Sequence, residues 1–313
     1  MIITVTPNTA VDKTYMVHGF ALDKVNRPES AHTVPGGKGV NVSRVLRTLG
    51  VDTIATGFIA GSAGAMIEHG LTNEEIPHDF VRTEGESRLC MGIIDPENGT
   101  QTEINEAGPN ISEEDLNALK DKIISLLPSA DYIAFCGSVP AGIPDDFYAE
   151  MIKTANDAGV KTVLDSSGVQ LRNGIKASPK IIKPNTNELS QVAETEIFTL
   201  EEILDGAKTF RTLYGVETVA VTMGRTGAMV IRGDEAYAAK SPEIEFVSAV
   251  GSGDSFLAAF MAAEMKGCSL GECLEWATAA GAANAAISGS GFCTKEMIYA
   301  LKEKIVAERI CEA

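Results

Sequence analysis

The run Ser248-Ala249-Val250-Gly251-Ser252-Gly253-Asp254-Ser255-Phe256 opens directly into the apolar segment FLAAFMAAEM. A Gly-Ser-Gly turn at a helix start lines up backbone N–H groups that can stabilise charge developing on a transferred phosphoryl group. Asp254, in the first helical turn, can accept a proton from an attacking hydroxyl. Ser and Asp also favour first turns on electrostatic grounds, so taken alone this loop reads equally as a capped core helix. A second glycine run, Pro35-Gly36-Gly37-Lys38-Gly39-Val40-Asn41-Val42, enters another helix. Its adjacent glycines let backbone approach a ligand closely. Lys38 adds a point charge for phosphate, and Asn41 a donor and an acceptor for a sugar hydroxyl. No GxxxxGK[ST] is present, so this is not a Walker A loop, and a plain turn before an amphipathic helix remains the bland alternative.

Lesser signals lie between these two. In Lys183-Pro184-Asn185-Thr186-Asn187-Glu188, Asn185 and Glu188 at i and i+3 can face one point, where a hydrated magnesium ion could be held mostly through water. The same spacing caps a helix equally well. Thr222-Met223-Gly224-Arg225-Thr226-Gly227 ends a strand with two glycines that suit nucleotide phosphates or a simple hairpin turn. Asn8, Asp12 and Lys13 follow the first strand, where the C-terminal edge of a parallel sheet gathers ligand groups. Arg27 and Arg88 suit bidentate binding of a phosphate, although most exposed arginines are merely solvated.

Elements able to position these residues are legible as an alternation. Ile2–Thr6, Thr53–Phe58, Tyr132–Cys136, Lys161–Leu164, Lys180–Lys183 and Thr218–Thr222 read as apolar strands. Val40–Leu49, Glu113–Leu127, Asp145–Ala158 and Leu200–Tyr214 read as helices between them. Near-continuous apolar strands joined by helices imply a parallel sheet covered on both faces. A β-meander is expected over Ala228–Arg232, Glu235–Ala239 and Ile244–Val247, then helices over 254–266, 270–287 and 294–308. Two stretches, 12–34 and 88–106, lack helical periodicity and carry the strand-like pieces Thr14–Val17, Ala31–Val34, Leu89–Ile94 and Gln101–Asn105. They could form one small sheet outside the main layer.

The chain has 313 residues, 44% of them hydrophobic and 22% charged, which suits a globular protein with a sizeable core. Acidic residues outnumber basic ones 43 to 26, a formal charge of −17. Such a surface repels phosphate backbones and anionic lipid, so neither nucleic acid nor membrane is the expected partner. Any anionic substrate must be held by local cations against that field. The N-terminus lacks the features of a leader, and the Ala/Gly-rich stretch around 276–293, broken by Asn284, reads as a buried helix rather than a span. Cys90, Cys136, Cys268, Cys273, Cys293 and Cys311 show no CxxC spacing, and His18, His32, His69 and His78 no metal spacing. Reduced thiols, no zinc site and a cytoplasmic location are the expectation.

Taken together, PGGKGVNVSRVLRTLG, KPNTNE and VGSGDSFLAAF resemble, in that order, the signatures of the PfkB branch of the ribokinase-like sugar kinases. NEAGPNIS, CGSVPAGIPDDFY and LDSSG look like its phosphosugar members, the 1-phosphofructokinases and tagatose-6-phosphate kinases. The resemblance implies an α/β, ribokinase-like fold: a doubly wound, mostly parallel sheet flanked by helices, with a small β-sheet lid formed by the two irregular stretches. By the same resemblance, Asp254 is the base and the Gly251, Ser252 and Gly253 amides are the anion hole. Asp12, Gly36, Gly37 and Asn41 hold sugar hydroxyls, and Lys38, Arg27, Arg88 and Ser138 surround the substrate phosphate. Lys183, Asn185, Glu188, Thr222, Gly224 and Gly227 serve ATP and Mg2+, with Asn284 near the adenine side. A homodimer through the lid is also implied. Ser248-Ala249-Val250 stands where many members carry an Asp-Thr sequence, so no monovalent-cation site is expected.

The implied reaction is ATP-dependent phosphorylation of a ketohexose monophosphate to the 1,6-bisphosphate. Fructose 1-phosphate is the first-ranked acceptor because of TEINEAGPNIS. Tagatose 6-phosphate ranks second because of Arg88-Leu89-Cys90, and fructose 6-phosphate third. A catalytically inactive sugar-phosphate sensor would not need Asp254. An NAD-dependent oxidoreductase would need glycines after the first strand, where the chain reads PNTAVD.

Overall fold

The structure is a computed structural model that describes residues 1–196 and 199–310; Cys311 lies outside the described residues. Along the chain come β1 (Ile2–Thr6), β2 (Ala10–Met16), β3 (Ser30–Gly36), α1 (Lys38–Thr48), β4 (Thr53–Ala60), α2 (Gly61–Asn73) and β5 (Val81–Thr83). They are followed by β6 (Arg88–Asp95), β7 (Thr100–Asn105), α3 (Glu113–Leu126), β8 (Tyr132–Cys136), α4 (Phe147–Asp157), β9 (Lys161–Asp165) and α5 (Gly168–Gly174). Next are β10 (Ile181–Ile182), α6 (Thr186–Ala193), α7 (Leu200–Tyr214), β11 (Thr218–Thr222), β12 (Ala228–Arg232) and β13 (Glu235–Ala239). Last come α8 (Ser252–Met265), α9 (Leu270–Ala285), α10 (Lys295–Lys302) and β14 (Ala307–Arg309).

Among the described residues the main sheet runs β14-β13-β12-β11-β10-β9-β8-β1-β4-β5. It is parallel from β5 to β11 and antiparallel from there to β14. Burial on both faces explains the unbroken apolar strands. Ile3, Val5, Ile133 and Phe135 enter one core, with Leu116, Ile123, Phe147, Met151 and Phe210 of α3, α4 and α7. Ile2, Tyr132, Ala134 and Cys136 enter the other, with Val42, Phe256, Phe260 and Cys273 of α1, α8 and α9. The strand period of two thus sends alternate residues to opposite helical layers, as the doubly wound reading requires.

Caps account for several helix boundaries. Thr199 with Glu202 and Ser269 with Glu272 form reciprocal capping boxes at the starts of α7 and α9, and Gly215 ends α7 in the left-handed conformation. Ser112 accepts from the Asp115 amide at the start of α3. A second, four-stranded sheet of order β3-β2-β6-β7 stands over the C-terminal edge of the first, made from the two irregular stretches. Helix α2, absent from the sequence reading, packs Ile67 and Leu71 with Val11 and Ile59 beneath that lid.

Two expectations fail on one side of the molecule. Ile244–Val247 forms no strand, and the third partner of the meander comes from the C-terminus instead: β14 pairs with β13, Tyr237 opposite Arg309. Correspondingly the helix expected over 294–308 stops at Lys302. An alternating E-I-E-F pattern marks one apolar side equally on a strand or on a loop folded over a cavity, and only pairing distinguishes them.

Candidate active site

Between the lid and the strand ends lies a cavity of about 820 Å3. Its walls bring together Asp12, Gly37, Lys38, Asn41, Arg88, Lys183, Asn185, Thr222, Gly224, Gly227, Gly251, Ser252, Gly253 and Asp254. Residues up to 242 positions apart in the chain therefore share one space, because loops after parallel strands and the starts of helices α1 and α8 all open on the same edge.

Asp254 is buried in the floor, 6% exposed. Gly251 precedes α8 with φ 79°, and a Cβ there would lie 2.7 Å from Ser290 Cα, so the turn admits little but glycine. The Ser252 amide leans on Ala249 O at 3.2 Å. Asn284, fully buried, donates to Val250 O at 2.7 Å and to Ser252 Oγ at 3.4 Å while accepting from the Gly291 amide at 2.6 Å. Asn284 thus straps the glycine loop from behind. It is not on the cavity wall, in contrast to the adenine-side position expected for it.

Asn41, on the cavity wall, is also bonded to the floor carboxylate. Its Nδ2 donates to Asp254 Oδ2 at 2.8 Å, and its Oδ1 accepts from Arg44 Nη1 at 2.9 Å. Arg44, only 5% exposed, also donates to Ser290 O, Pro35 O and both oxygens of Glu74. The guanidinium fixes which end of the Asn41 amide faces the carboxylate, since a reversed amide would set its oxygen against Asp254. Burial raises Asp254 above the ordinary carboxylate range. The Lys38 charge, the Asn41 bond and Lys183 work against that rise, while Asp165 adds to it.

Asp165 at the end of β9 links the two lysines. It is completely buried, its Oδ1 lying 2.8 Å from Lys38 Nζ and 3.3 Å from Lys183 Nζ, while Oδ2 is buried without a hydrogen-bond partner. Burial favours its neutral form, but Lys183 and Lys38 outweigh it and hold the carboxyl below its usual range. Lys38 feels the converse. Burial favours the neutral amine, yet Asp165, Asp254 and Glu188 keep it firmly protonated. Asp165 thereby fixes both ammonium groups in place beside the glycine turn.

At the far end of the cavity, Asn185 and Glu188 form a complete capping box on α6: Asn185 Oδ1 accepts from the Glu188 amide at 2.9 Å and Glu188 Oε2 from the Asn185 amide at 2.8 Å. Asn185 lines the cavity and Glu188 stands behind it. The capping arrangement of this motif is thus formed, with Asn185 facing the cavity. Thr222, Gly224 and Gly227 line the adjoining wall as expected, and Gly227 lies against Ala239 O, where a Cβ would come within 2.0 Å. Phe246, from the segment expected to be a strand, is part of this wall under the Arg225 guanidinium, 4.5 Å from its ring centroid.

At the lid end, Asp12 and Arg88 face the cavity, and the Gly36 position leaves room for Asp12: a Cβ would fall 2.1 Å from its Cγ. Burial pushes the Asp12 carboxyl up to about 6, with Asp254 and Glu103 adding to the rise and Arg44 and Arg88 opposing it. Ser138, exposed and not on the cavity wall, accepts from Asn8 Nδ2 at 3.2 Å. Arg27 is exposed on the loop between β2 and β3 and does not reach the cavity, which leaves Lys38 and Arg88 as its expected phosphate ligands within one chain.

The family model for pfkB family carbohydrate kinases matches residues 5–297. The chain belongs to the PfkB family. It is a phosphotransferase with a sugar phosphate acceptor, as the named kinases among its relatives support. A tagatose-6-phosphate kinase of Staphylococcus epidermidis is 36% identical over 260 residues, covering 82% of this chain and 83% of the relative. A Thermotoga maritima protein described as a "Possible 1-phosphofructokinase" superposes with TM-score 0.90 at 25% identity, over 99% of this chain and 100% of the other. Phosphofructokinase-2 of Escherichia coli, solved with substrates and products, superposes with TM-score 0.91 at 22% identity over 97% and 98% of the two chains. A tetrameric inhibited form of that enzyme is also known.

Within this PfkB kinase, sequence reading missed Asp165, Arg44, Cys90, Gln101 and Glu103. Asp165 lies in the LDSSG stretch at a strand end, a position that could have marked it. Arg44 falls on the helical repeat after Asn41 at i+3, a visible spacing with no sign of its burial. The lid residues Cys90, Gln101 and Glu103 carry no local signal. They reach the cavity because alternate residues of β6 and β7 face inward. Burial pushes the Cys90 thiol up to about 11, which makes it a poor nucleophile.

Proposed function

We propose that this PfkB kinase transfers the γ-phosphoryl group of ATP to a primary hydroxyl of a ketohexose monophosphate, giving the 1,6-bisphosphate. The observation that carries this reading is the convergence of Asp254, the glycine turn and the Lys38–Asp165–Lys183 triad on one cavity that also holds Arg88. Asp254 takes the hydroxyl proton as the oxygen attacks, and the Gly251–Gly253 amides meet the charge on the transferring group. Lys38 and Arg88 fit the acceptor's own phosphate, and Asp12 its hydroxyls. Lys183, Thr222, Gly224 and Gly227 fit the nucleotide phosphates. Among the described residues no group of three or more His, Cys, Asp or Glu could hold a metal by itself. Two oxygen-bearing side chains, Asn185 and Glu188, suit an Mg2+ that keeps water and phosphate oxygens as its other ligands. Such an ion would neutralise charge on the nucleotide phosphates.

Fructose 1-phosphate is the first-ranked acceptor, supported by the TEINEAGPNIS stretch and by the Thermotoga maritima neighbour. The 36% identical relative favours a second reading, tagatose 6-phosphate. Each has a primary hydroxyl at the end opposite its phosphate, so the same catalytic groups serve both. ADP release, measured with fructose 1-phosphate, tagatose 6-phosphate, fructose 6-phosphate and free fructose in parallel, tests the proposal. An acceptor preferred by about tenfold in kcat/KM, roughly 1.4 kcal/mol, identifies the substrate. The Asp254→Asn variant should lose roughly 10²- to 10⁴-fold in kcat on it. Full activity in that variant would remove the base from Asp254, and silence across the panel would sink the acceptor class.

A further inference from the structure

Besides its packing on α2, two hydrogen-bonded contacts join the lid to the body beside the cavity. One is its hinge, where Arg88 Nε donates to Asn8 O and Asn8 Nδ2 donates to Ala107 O. The other is at the distal end of β7. Gln101 pairs with Ile94 near the outer end of β6, six residues beyond Arg88 at the hinge end of that strand. From there Gln101 Oε1 accepts from Ser248 Oγ at 3.3 Å. Both residues line the cavity, so this bond spans its mouth from the lid to the opposite wall.

What Ser248 does next gives the contact its meaning. The same Oγ accepts from the Val250 amide at 3.2 Å, ordering the turn that leads directly into Gly251. Ser248 is only 4% exposed, and its own amide is held by Ala285 O at 3.2 Å. On the lid side, Gln101 Nε2 donates to Glu103 Oε1 at 3.1 Å, which fixes the amide so that its oxygen, and not its nitrogen, faces Ser248. A continuous chain of hydrogen bonds therefore runs from the inner face of the lid, through Gln101 and Ser248, to the residue preceding the anion hole. The Asn284 strap holds that loop with both partners in the body, whereas the Gln101 contact joins it to the lid.

We propose that Gln101 and Ser248 are positioning residues: their hydrogen bond latches the closed lid to the glycine turn and sets the Gly251–Gly253 amides for phosphoryl transfer. The catalytic geometry is thereby complete only when the lid has closed over the acceptor. The proposal builds on the kinase reading above and assigns neither residue a direct contact with substrate. Losing the latch lowers the fraction of bound complexes with a formed anion hole, which is a kcat effect, and leaves the nucleotide phosphate contacts in place.

Gln101→Leu, Ser248→Ala and the double variant test it, assayed by ADP release with fructose 1-phosphate and tagatose 6-phosphate. Amide hydrogen exchange over residues 249–253 of the unliganded protein supplies a readout that needs no substrate. Each single variant should lower kcat by roughly fivefold or more with KM for ATP changed less than about twofold, and the double variant should be no slower than the slower single. Exchange over 249–253 should quicken in all three. Unchanged kcat with unchanged exchange, or losses that multiply in the double variant, would overturn the latch. If the wild-type protein acts on neither sugar phosphate, the acceptor assignment fails and exchange alone decides the latch: faster exchange in the variants upholds it, unchanged exchange removes it.

Discussion

Asp254 can act as a base only while ionised, and its neighbours show how a buried carboxyl is kept usable. Burial drives it towards the neutral acid, while Lys38 and the Asn41 amide, oriented by Arg44, favour the anion. Asp12 lies in the same cavity with less help, and its carboxyl is raised to about 6. A carboxyl raised on folding binds its proton more tightly in the folded state, so as pH climbs from the unfolded value of 3.8 through about 6 it removes stability. Asp12→Asn has nearly the same shape and no charge to bury. It should therefore melt at a higher temperature than the wild type above about pH 6, with the difference closing below about pH 4. Thermal melts of both proteins across that range check this, and a gap independent of pH would show that Asp12 is stabilised in some other way. The same variant should weaken sugar phosphate binding, because the acceptor set facing the hydroxyls changes.

Helix α8 starts at the glycine turn, and its sequence explains how that turn is anchored. FLAAFMAA is apolar all round and every one of its residues is buried, so the helix is gripped on all sides rather than resting on one face. Phe256 and Phe260 stack with ring centroids 6.4 Å apart, and Phe260 is fully buried between the sheet and α9. Phe260→Ala should cost about 3–5 kcal/mol of unfolding free energy, read as a lower denaturant midpoint, whereas Leu213→Ala on the 67% exposed end of α7 should stay within about 0.5 kcal/mol. Equal effects at the two positions would mean that the α8 core is not packed as described. At this scale most of the architecture was legible. Strand and helix periods sorted β1, β8, β11 and α7 correctly to their ends because each has an apolar pattern with a proline, a cap or a glycine close by. Reading failed where pattern and pairing part company. Ile244–Val247 alternates like a strand but has no edge to join, and β14 takes that edge from the other end of the chain.

Taken as a whole, the molecule leaves one sheet face without a cover. Alternation on the lid sends Asp12, Cys90 and Glu103 to the cavity and Tyr15, Ile93 and Ile104 to the opposite side. Ile104 is 51% exposed, and Leu22 and Val25 on the loop between β2 and β3 are 85% and 79% exposed. Side chains of this kind are what a second copy of the chain would cover, in keeping with the lid-mediated homodimer implied by the family resemblance. Sedimentation of the wild type at micromolar concentration should give a dimer, and Leu22→Asp with Ile104→Asp should give a monomer. A monomeric wild type would remove the dimer, leaving the cavity of the single chain as described. Among the described residues no helix is long and apolar enough to cross a membrane.

Residue types and short-range spacing were enough to announce the glycine turns, Asp254 in the first turn of α8 and the alternation of strands and helices, because each depends on backbone conformation or on a period of two or 3.6 within a few positions. They could not announce which groups would be spent on one another. Asn41 faces the cavity and is bonded to Asp254; Asn284 straps the turn from outside the cavity wall; Arg27 stands on an exposed loop away from the cavity. Asp165 bridges Lys38 and Lys183 across 127 and 18 positions of chain, and Gln101 reaches Ser248 across 147. Hydrogen bonds and ion pairs are satisfied by whatever lies within about 3 Å after folding, and a linear sequence holds no record of that distance.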